Sequence, residues 1–174
     1  MHYICTMRLE DAKMEFIQSW GVVGSAWGIP RSMAQIHALL LTNENGLSAE
    51  DVMEQIQLSR GNVNTNLREL INWGLIAKQN KLGERKEFFK ANHDVHHIAQ
   101  SILAERKKRE FIPIQDLLRK LKDADIKGPK ADVKHFEKLI EEFEDFISHL
   151  DQLSNLMTKM NENRFFKKMI KAMG

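Results

Sequence analysis

The sequence predicts a mainly α-helical fold that contains one small β-hairpin. Apolar residues recur at helical intervals along most of the chain, which indicates amphipathic helices. Two of the predicted helices are short and are separated by a brief turn before Ser59, the arrangement of a helix-turn-helix unit. A strand–turn–strand pattern with a basic tip follows at residues 75–91. Together these features predict a winged helix-turn-helix domain, with further helices on both sides of it.

Composition limits the possible functions. At 174 residues the chain suits one ordinary domain, or a small domain with an oligomerisation arm. The net charge of +2 is small, so any nucleic-acid site must come from local clusters of charge. The single cysteine, Cys5, excludes an internal disulfide and a CxxC pair. No apolar run reaches the roughly 18 residues of a membrane span, and no signal peptide is recognisable. We therefore expect a cytoplasmic protein without membrane contact.

The first predicted helix covers residues 7–27. Gly21 and Gly24 lie inside it at a cost of about 1 kcal/mol each relative to alanine, which is understandable if another helix crosses closely there. Trp20 and Trp27 are nearly two turns apart and are predicted to share a face. With Phe16 they are candidate ligand-binding residues, because aromatic rings attract quaternary ammonium groups. The alternative is that these rings pack in the core or in a dimer interface.

Signals for helix starts locate the next elements. Pro30 suits the first turn of a second helix, and Leu47 can begin a very short strand. Ser48 and Asp51 fit a capping box at the start of a third helix. Ser59 is a good N-cap for the fourth helix, which we expect at residues 59–73. Gly74 is the residue expected to end it.

The fourth helix has one apolar face and one polar face. Val63, Leu67, Leu70 and Ile71 recur at helical spacing. The opposite face holds Gly61, Asn62, Thr65, Arg68 and Asn72, with Asn64 on its flank. Such a face can enter the major groove of DNA, where Asn can pair with adenine, Arg with guanine, and Thr with a base or a phosphate. The alternative is an ordinary solvated surface.

The hairpin at residues 75–91 carries more positive than negative side chains. A basic hairpin beside a recognition helix is typical of a wing, which contacts phosphates or the minor groove and sets affinity more than sequence choice. Alone, a charged hairpin is usually a solvated edge, but its place directly after a helix-turn-helix favours DNA binding. The candidate DNA-binding residues are Ser59, Arg60, Asn62, Asn64, Thr65, Arg68, Lys81, Arg85 and Lys86.

Several motifs resemble one known family. They are LSRGNV at 58–63, LREL at 67–70, WGLI at 73–76, GERKEFF at 83–89, IPR at 29–31, and RKKRE at 106–110 followed by Pro113. Over roughly residues 10–115 the chain is similar to the GbsR branch of the MarR-type winged-helix regulators. The resemblance implies a bacterial or archaeal transcriptional regulator, a homodimer that binds a pseudo-palindromic operator in double-stranded DNA. Some members of that branch repress choline-related genes, which implies a choline-like cation as effector.

The C-terminal part is predicted to be helical. Asp94 is the expected N-cap of a helix that ends in the basic run 106–109, whose cations suit the helix dipole. We expect Pro113 to start a separate helix. His93 and His97 have the spacing of two metal ligands, but hydrogen-bonded surface histidines are the alternative, since no HExxH pattern is present.

A long apolar stripe follows in residues 131–160, with steps of three and four residues as in a coiled coil. Its partner could be the N-terminal helix, the helix at 94–109, or a second subunit. A last short basic helix is predicted at 163–173, docked on the dimer arm or lying on a membrane surface.

We therefore expect an N-terminal helix at 1–29 that serves dimerisation or ligand binding. A winged helix-turn-helix DNA-binding domain should follow at 30–92, and a helical dimerisation region at 93–174. The predicted function is sequence-specific transcriptional regulation, as a repressor. The alternative is a protein-interaction module that uses the winged helix and the coiled-coil helix. An enzyme is not expected, because no phosphate loop, nucleophile elbow or metal-ligand set is present, and no cofactor is implied.

Overall fold

The computed structural model describes residues 6–162 of the chain. Its elements are α1 (Leu9–Ala26), α2 (Arg31–Leu41), β1 (Leu47–Ser48), α3 (Ala49–Ile56), α4 (Arg60–Asn72), β2 (Ile76–Asn80), β3 (Glu87–Ala91), α5 (Val95–Lys122) and α6 (Lys130–Glu162). The predicted class, mainly helical with a small β-wing, is confirmed. Cys5 and the helix predicted at 163–173 lie outside the described residues.

The backbone forms two compact units, Met1–Ser101 and Ile102–Gly174. The first unit holds the helix-turn-helix and the hairpin, and the second holds most of α5 and all of α6. The three-part division at residues 29 and 92 stays a prediction.

Helix α1 packs closely on α2, as its two glycines predicted. A Cβ added at Gly24 would lie 2.5 Å from the Cβ of Ala34, and one at Gly21 would lie 2.7 Å from Cγ of Gln35. Both glycines are buried. A side chain at Gly24 would collide with Ala34 unless the helices moved apart, and one at Gly21 would displace the side chain of Gln35. Gly24 therefore permits the close approach of α1 and α2.

Helix α2 is the centre of the first unit. Met33, Ile36 and Leu40 on this helix are at most 1% exposed. The helix-turn-helix packs on the same core through Val52 of α3 and through the apolar face of α4. Fully burying an aliphatic side chain stabilises a fold by about 1.5–3 kcal/mol, so α2 is the helix that holds α3 and α4 in place.

The three strands form one antiparallel sheet in the order β1-β3-β2. In β3, Phe89 pairs with Lys78 of β2 on one side and with Leu47 of β1 on the other. Phe89 and Ala91 are buried, whereas residues 77–80 of β2 are exposed. The base of the hairpin is therefore part of the core, and its far end extends into solvent.

The expectation of a helix break at Pro113 is wrong. Helix α5 runs without interruption from Val95 to Lys122, with Pro113 in its interior. Proline removes one N–H donor and crowds the preceding turn, but the flanking turns of this long helix remain regular. Residues 106–109 consequently lie in the middle of α5 and not in a last turn, so the helix-dipole explanation for their charge does not apply. Asp94 does cap α5, since its Oδ1 accepts from the backbone N–H groups of His96 and His97.

Helix α6 confirms the long helix that the apolar stripe predicted. Its Ile140 and Ile147 are buried in a cluster with Leu118, and Phe111 and Leu121 pack against that cluster. The partner of the stripe inside the second unit is therefore the C-terminal half of α5. A 2.6 Å ion pair between Lys107 and Asp151 adds a polar contact between the same two helices.

Candidate nucleic-acid interface

Helix α4 is fixed at both ends and along one face. Ser59 is its N-cap, with an extended backbone, and its Oγ accepts from the N–H of Asn62 at 3.4 Å. Gly74 follows the helix with φ +68°, a left-handed conformation that a glycine adopts without strain. Val63, Leu67 and Leu70 are at most 2% exposed. Both caps that the sequence predicted are present, and the helix cannot rotate without exposing its apolar face.

The opposite face of α4 is open to solvent. All six of the candidate DNA-binding residues in this region are exposed: Ser59, Arg60, Asn62, Asn64, Thr65 and Arg68. Arg60 lies 3.7 Å from the carboxylate of Glu50 in α3, a contact that is largely exposed and therefore weak. The face offers neutral hydrogen-bonding groups and two guanidinium groups.

The sequence reading missed Asn66, which is only 8% exposed. Its Nδ2 donates to Oγ of Ser32 in α2 at 3.1 Å and to the backbone oxygen of Asn62 at 2.9 Å. A detectable signal existed, because Asn66 falls between Val63 and Leu67 on the stripe that packs against α2. A polar residue at an apolar position of a helix is a candidate for a buried hydrogen bond.

The turn between α3 and α4 is compact. Gln57 has φ 57°, an uncommon conformation for a residue that is not glycine. Its side-chain Nε2 donates to the backbone oxygen of Glu54 at 2.6 Å, which ties the turn to the end of α3. The capping box at the other end of α3 is also confirmed, since Ser48 and Asp51 exchange hydrogen bonds. Helix α3 therefore holds α4 at a defined angle.

The hairpin places its cations at the tip and at its edges. Lys78 is paired with Glu87 at 2.8 Å, and the Nζ of Lys81 lies 3.8 Å from the centre of the Phe88 ring. Arg85 and Lys86 are exposed beside them. The contact with the ring orients the side chain of Lys81. The ammonium group keeps its positive charge, because a cation–π contact does not neutralise it.

The basic tip lies near the start of α3. The pKa of Asp51 is lowered, chiefly by hydrogen bonds from the backbone and the hydroxyl of Ser48, with smaller contributions from the charges of Lys86 and Lys81. The charges of these two wing lysines therefore act on the start of α3. The polar face of α4 and the basic tip both lie in the first unit, and both are open to solvent.

One titratable group is buried beneath this surface. His37 of α2 is 2% exposed, and burial, with a smaller contribution from His93, lowers its pKa to about 4. Among the described residues its Nε2 has no hydrogen-bond partner. His37 is therefore neutral at pH 7 and contributes to packing rather than to charge.

The two histidines that share metal-ligand spacing serve as hydrogen-bonding groups. The Nε2 of His93 lies 3.2 Å from the backbone oxygen of Leu41, and that of His97 lies 3.0 Å from the oxygen of Gly74. Within residues 6–162 no group of three or more acidic, histidine or cysteine side chains is placed to hold a metal ion. The ring of His97 instead helps to hold the end of α4.

The three candidate ligand-binding aromatics do not form one cage. Phe16 and Trp20 stack with centroids 5.5 Å apart, but Trp27 lies just past the end of α1 and is 48% exposed. A cleft of about 400 Å³ lies between α1, α2 and α3, lined by Met14, Ile17, Leu39 and neighbouring polar residues. None of the three aromatic residues lines it. Their role in ligand binding stays a prediction.

Comparison with known proteins agrees with this geometry. Residues 27–85 match the model of the MarR family. These residues are therefore similar to the winged-helix domain of that family. The match contains α2, α3, α4, β2 and residues 81–85 of the wing tip, which include most of the candidate interface. MarR family regulators are non-enzymatic, in agreement with the expectation that the chain is not an enzyme.

One solved structure shares the fold of this chain, and two others are more distantly similar. The crystal structure of a transcriptional regulator is 22% identical with a TM-score of 0.63, over 87% of this chain and 99% of that one. A mutant of S. aureus MepR bound to an oligodeoxyribonucleotide is 15% identical, with a TM-score of 0.40 over 80% of this chain and 92% of its own. NadR in complex with 4-hydroxyphenylacetate is 17% identical, with a TM-score of 0.38 over 83% and 96%. The last two likenesses are too distant to support an argument.

No curated protein matches the chain. Across the described residues, none of the helices combines the length and the apolar character that a membrane span needs.

Proposed function

We propose that the chain is a transcriptional repressor that binds a pseudo-palindromic DNA operator as a homodimer. The observation that carries this proposal is the solvent-open polar face of α4, followed in the chain by a basic wing, within the segment that matches the MarR family. A polar helix face alone is common on protein surfaces. A helix that is capped, packed on α2 and α3 and followed by a basic wing has the properties of a DNA-recognition element. We call α4 and the wing together the reading head.

The two elements would have different roles on DNA. Asn62, Thr65 and Arg68 would enter the major groove, where base edges differ between the four base pairs. Lys81, Arg85 and Lys86 would contact phosphates or the minor groove and fix the register of the protein. Sequence choice would therefore come mainly from α4, and the salt dependence of binding mainly from the wing.

Dimerisation is supported by the apolar surface that each unit exposes. In the first unit the exposed apolar side chains include Leu9, Val22 and Trp27 of the N-terminal segment. In the second unit they include Leu117, Phe143, Phe146 and Leu153. Large apolar side chains left exposed on helices are candidates for a protein–protein interface. A two-fold dimer would set two α4 helices about one DNA turn apart, which matches an inverted repeat.

The effector that we propose is a choline-like cation, in keeping with the resemblance to the GbsR branch. The stacked rings of Phe16 and Trp20 present a π surface of the kind that attracts quaternary ammonium groups. A ligand that favours a dimer with the wrong spacing of its two reading heads would release DNA. A thermal-shift titration with choline tests this, and we expect a rise in melting temperature that Trp20→Ala abolishes. If choline raised the melting temperature of the wild type and of Trp20→Ala equally, Trp20 would not belong to the binding site.

DNA binding is tested with Arg68→Ala and Arg85→Ala. Binding is measured by fluorescence anisotropy on operator duplexes obtained by selection from a random library, across a series of salt concentrations. We expect Arg68→Ala to cost about 1–3 kcal/mol and to relax sequence preference. Arg85→Ala should weaken all duplexes similarly and reduce the salt slope by about 1. Lys120→Ala, which removes an exposed cation of α5, is the matched control.

Unchanged affinity in both arginine variants contradicts the regulator proposal. In that case the exposed apolar face of α6 would favour the interaction module instead. Light scattering of the same variants reports the oligomeric state, and both arginine variants should remain dimers because neither residue belongs to the proposed apolar interface.

A further inference from the structure

A buried hydrogen-bond network connects the core to the DNA-facing side of α4. Asn66 is 8% exposed, and its Nδ2 lies within hydrogen-bond distance of three oxygen atoms. These are Oγ of Ser32 at 3.1 Å, the backbone oxygen of Asn62 at 2.9 Å, and the side-chain Oδ1 of Asn62 at 2.5 Å. Ser32 belongs to α2, so the network is anchored outside the recognition helix.

The shortest of these contacts determines how Asn62 presents its carboxamide. Asn62 is exposed, one turn before Asn66 on α4. Its Oδ1 is turned back to Asn66, so the opposite end of the planar group, the Nδ2 with its two N–H donors, is available to a ligand. A freely rotating asparagine would offer its oxygen and its nitrogen equally.

We propose that Asn66 is a positioning residue that makes Asn62 a donor-only reader of guanine. Guanine presents two acceptors in the major groove, O6 and N7, whereas adenine presents one acceptor and one donor. Pairing with adenine needs the Oδ1 of Asn62 as well as its Nδ2, and the hydrogen bond from Asn66 turns that oxygen back towards α4 and away from the base. The network therefore reverses the usual preference of an asparagine for adenine at this one position.

This inference rests on the proposed DNA binding and adds a base preference to it. Two substitutions separate the positioning role from general support of the fold. Asn66→Asp keeps the shape but replaces the Nδ2 donor by a carboxylate oxygen, which repels the Oδ1 of Asn62 and attracts its Nδ2. Asn62 should then turn over and present its oxygen to the base. Asn66→Ala removes the contact and leaves Asn62 free to turn.

The experiment selects bound duplexes from a random library with the full chain and sequences them. The wild type should prefer guanine over adenine by about tenfold at one position of each half-site, and Asn62→Ala should remove the preference at that position alone. In Asn66→Asp the preference should pass to adenine or cytosine, whose exocyclic amines donate. Asn66→Ala should bind duplexes with guanine and with adenine at that position within about threefold of each other. If the aspartate variant does not fold, this result alone tests the positioning role.

A structural role alone would lower the melting temperature and the affinity without changing which base is chosen. Guanine preference retained in the Asn66 variants therefore overturns the inference. A wild-type profile with sequence preference but no position that responds to Asn62 overturns it too, and leaves the proposed function standing. A wild type without any sequence preference overturns both.

Discussion

The buried histidine of α2 makes the stability of the first unit depend on pH. The pKa of His37 is about 4 in the folded chain and 6.5 in an unfolded one, because burial penalises the imidazolium. The contribution of the neutral, buried imidazole to the free energy of unfolding is fully present above pH 6.5, and it is lost as the pH falls towards 4. Each tenfold difference in proton affinity corresponds to about 1.4 kcal/mol. About 2 kcal/mol should therefore be lost at pH 5, and about 3 kcal/mol below pH 4.

The assay is urea unfolding followed by tryptophan fluorescence at pH 7.5 and at pH 5. His37→Leu removes the titrating group and the unpartnered Nε2 together, so this variant should lose about 2 kcal/mol less than the wild type between the two pH values. His96→Leu, a change at an exposed histidine of α5, is the control and should follow the wild type. An identical pH dependence in wild type and His37→Leu would refute the reasoning, since the burial of this one imidazole is its only premise.

Three further predictions concern the scaffold of the reading head. Gly24→Val should lower the free energy of unfolding by about 1–3 kcal/mol, because the new side chain meets Ala34; denaturant unfolding measures this. Gly61→Ala, where nothing lies within 4 Å of the added Cβ, should instead stabilise α4 by up to about 1 kcal/mol. A lower free energy of unfolding in the same assay would show that the added methyl group meets an obstacle. Ser59→Ala should cost about 1 kcal/mol, and hydrogen exchange should show the loss at the first turn of α4; unchanged protection of the Asn62 amide would count against the cap.

Most of the helix-turn-helix could be predicted because its signals are local. A cap such as Ser59, a stop such as Gly74 and an apolar stripe act within a few residues, and each of them appears in the structure as expected. The close approach at Gly21 and Gly24 was predictable for a related reason, since glycine inside a helix needs a compensating contact.

The errors arose where distant contacts decide the structure. The sequence predicts that Pro113 starts a separate helix, but α5 is long enough to keep its regular turns on both sides of one missing donor. The basic run at 106–109 looked like a helix end for the same reason. Asn66 was overlooked because its role depends on Ser32, which is 34 positions away in sequence. Trp27 was placed on the face of Trp20, but the helix stops one residue before it.

Ser48 belongs to two elements at once. It pairs with Phe88 of β3 in the sheet and caps α3 through Asp51. A deletion of one residue within β3 would therefore turn Phe89 from the core to solvent and pull on the capping box together. The tip at residues 81–86 lies beyond the last strand pair, Asn80 with Glu87, and is free of this constraint. Tips of different length could be exchanged between related chains without shifting the strand register, so the tip is the part of the wing most open to variation.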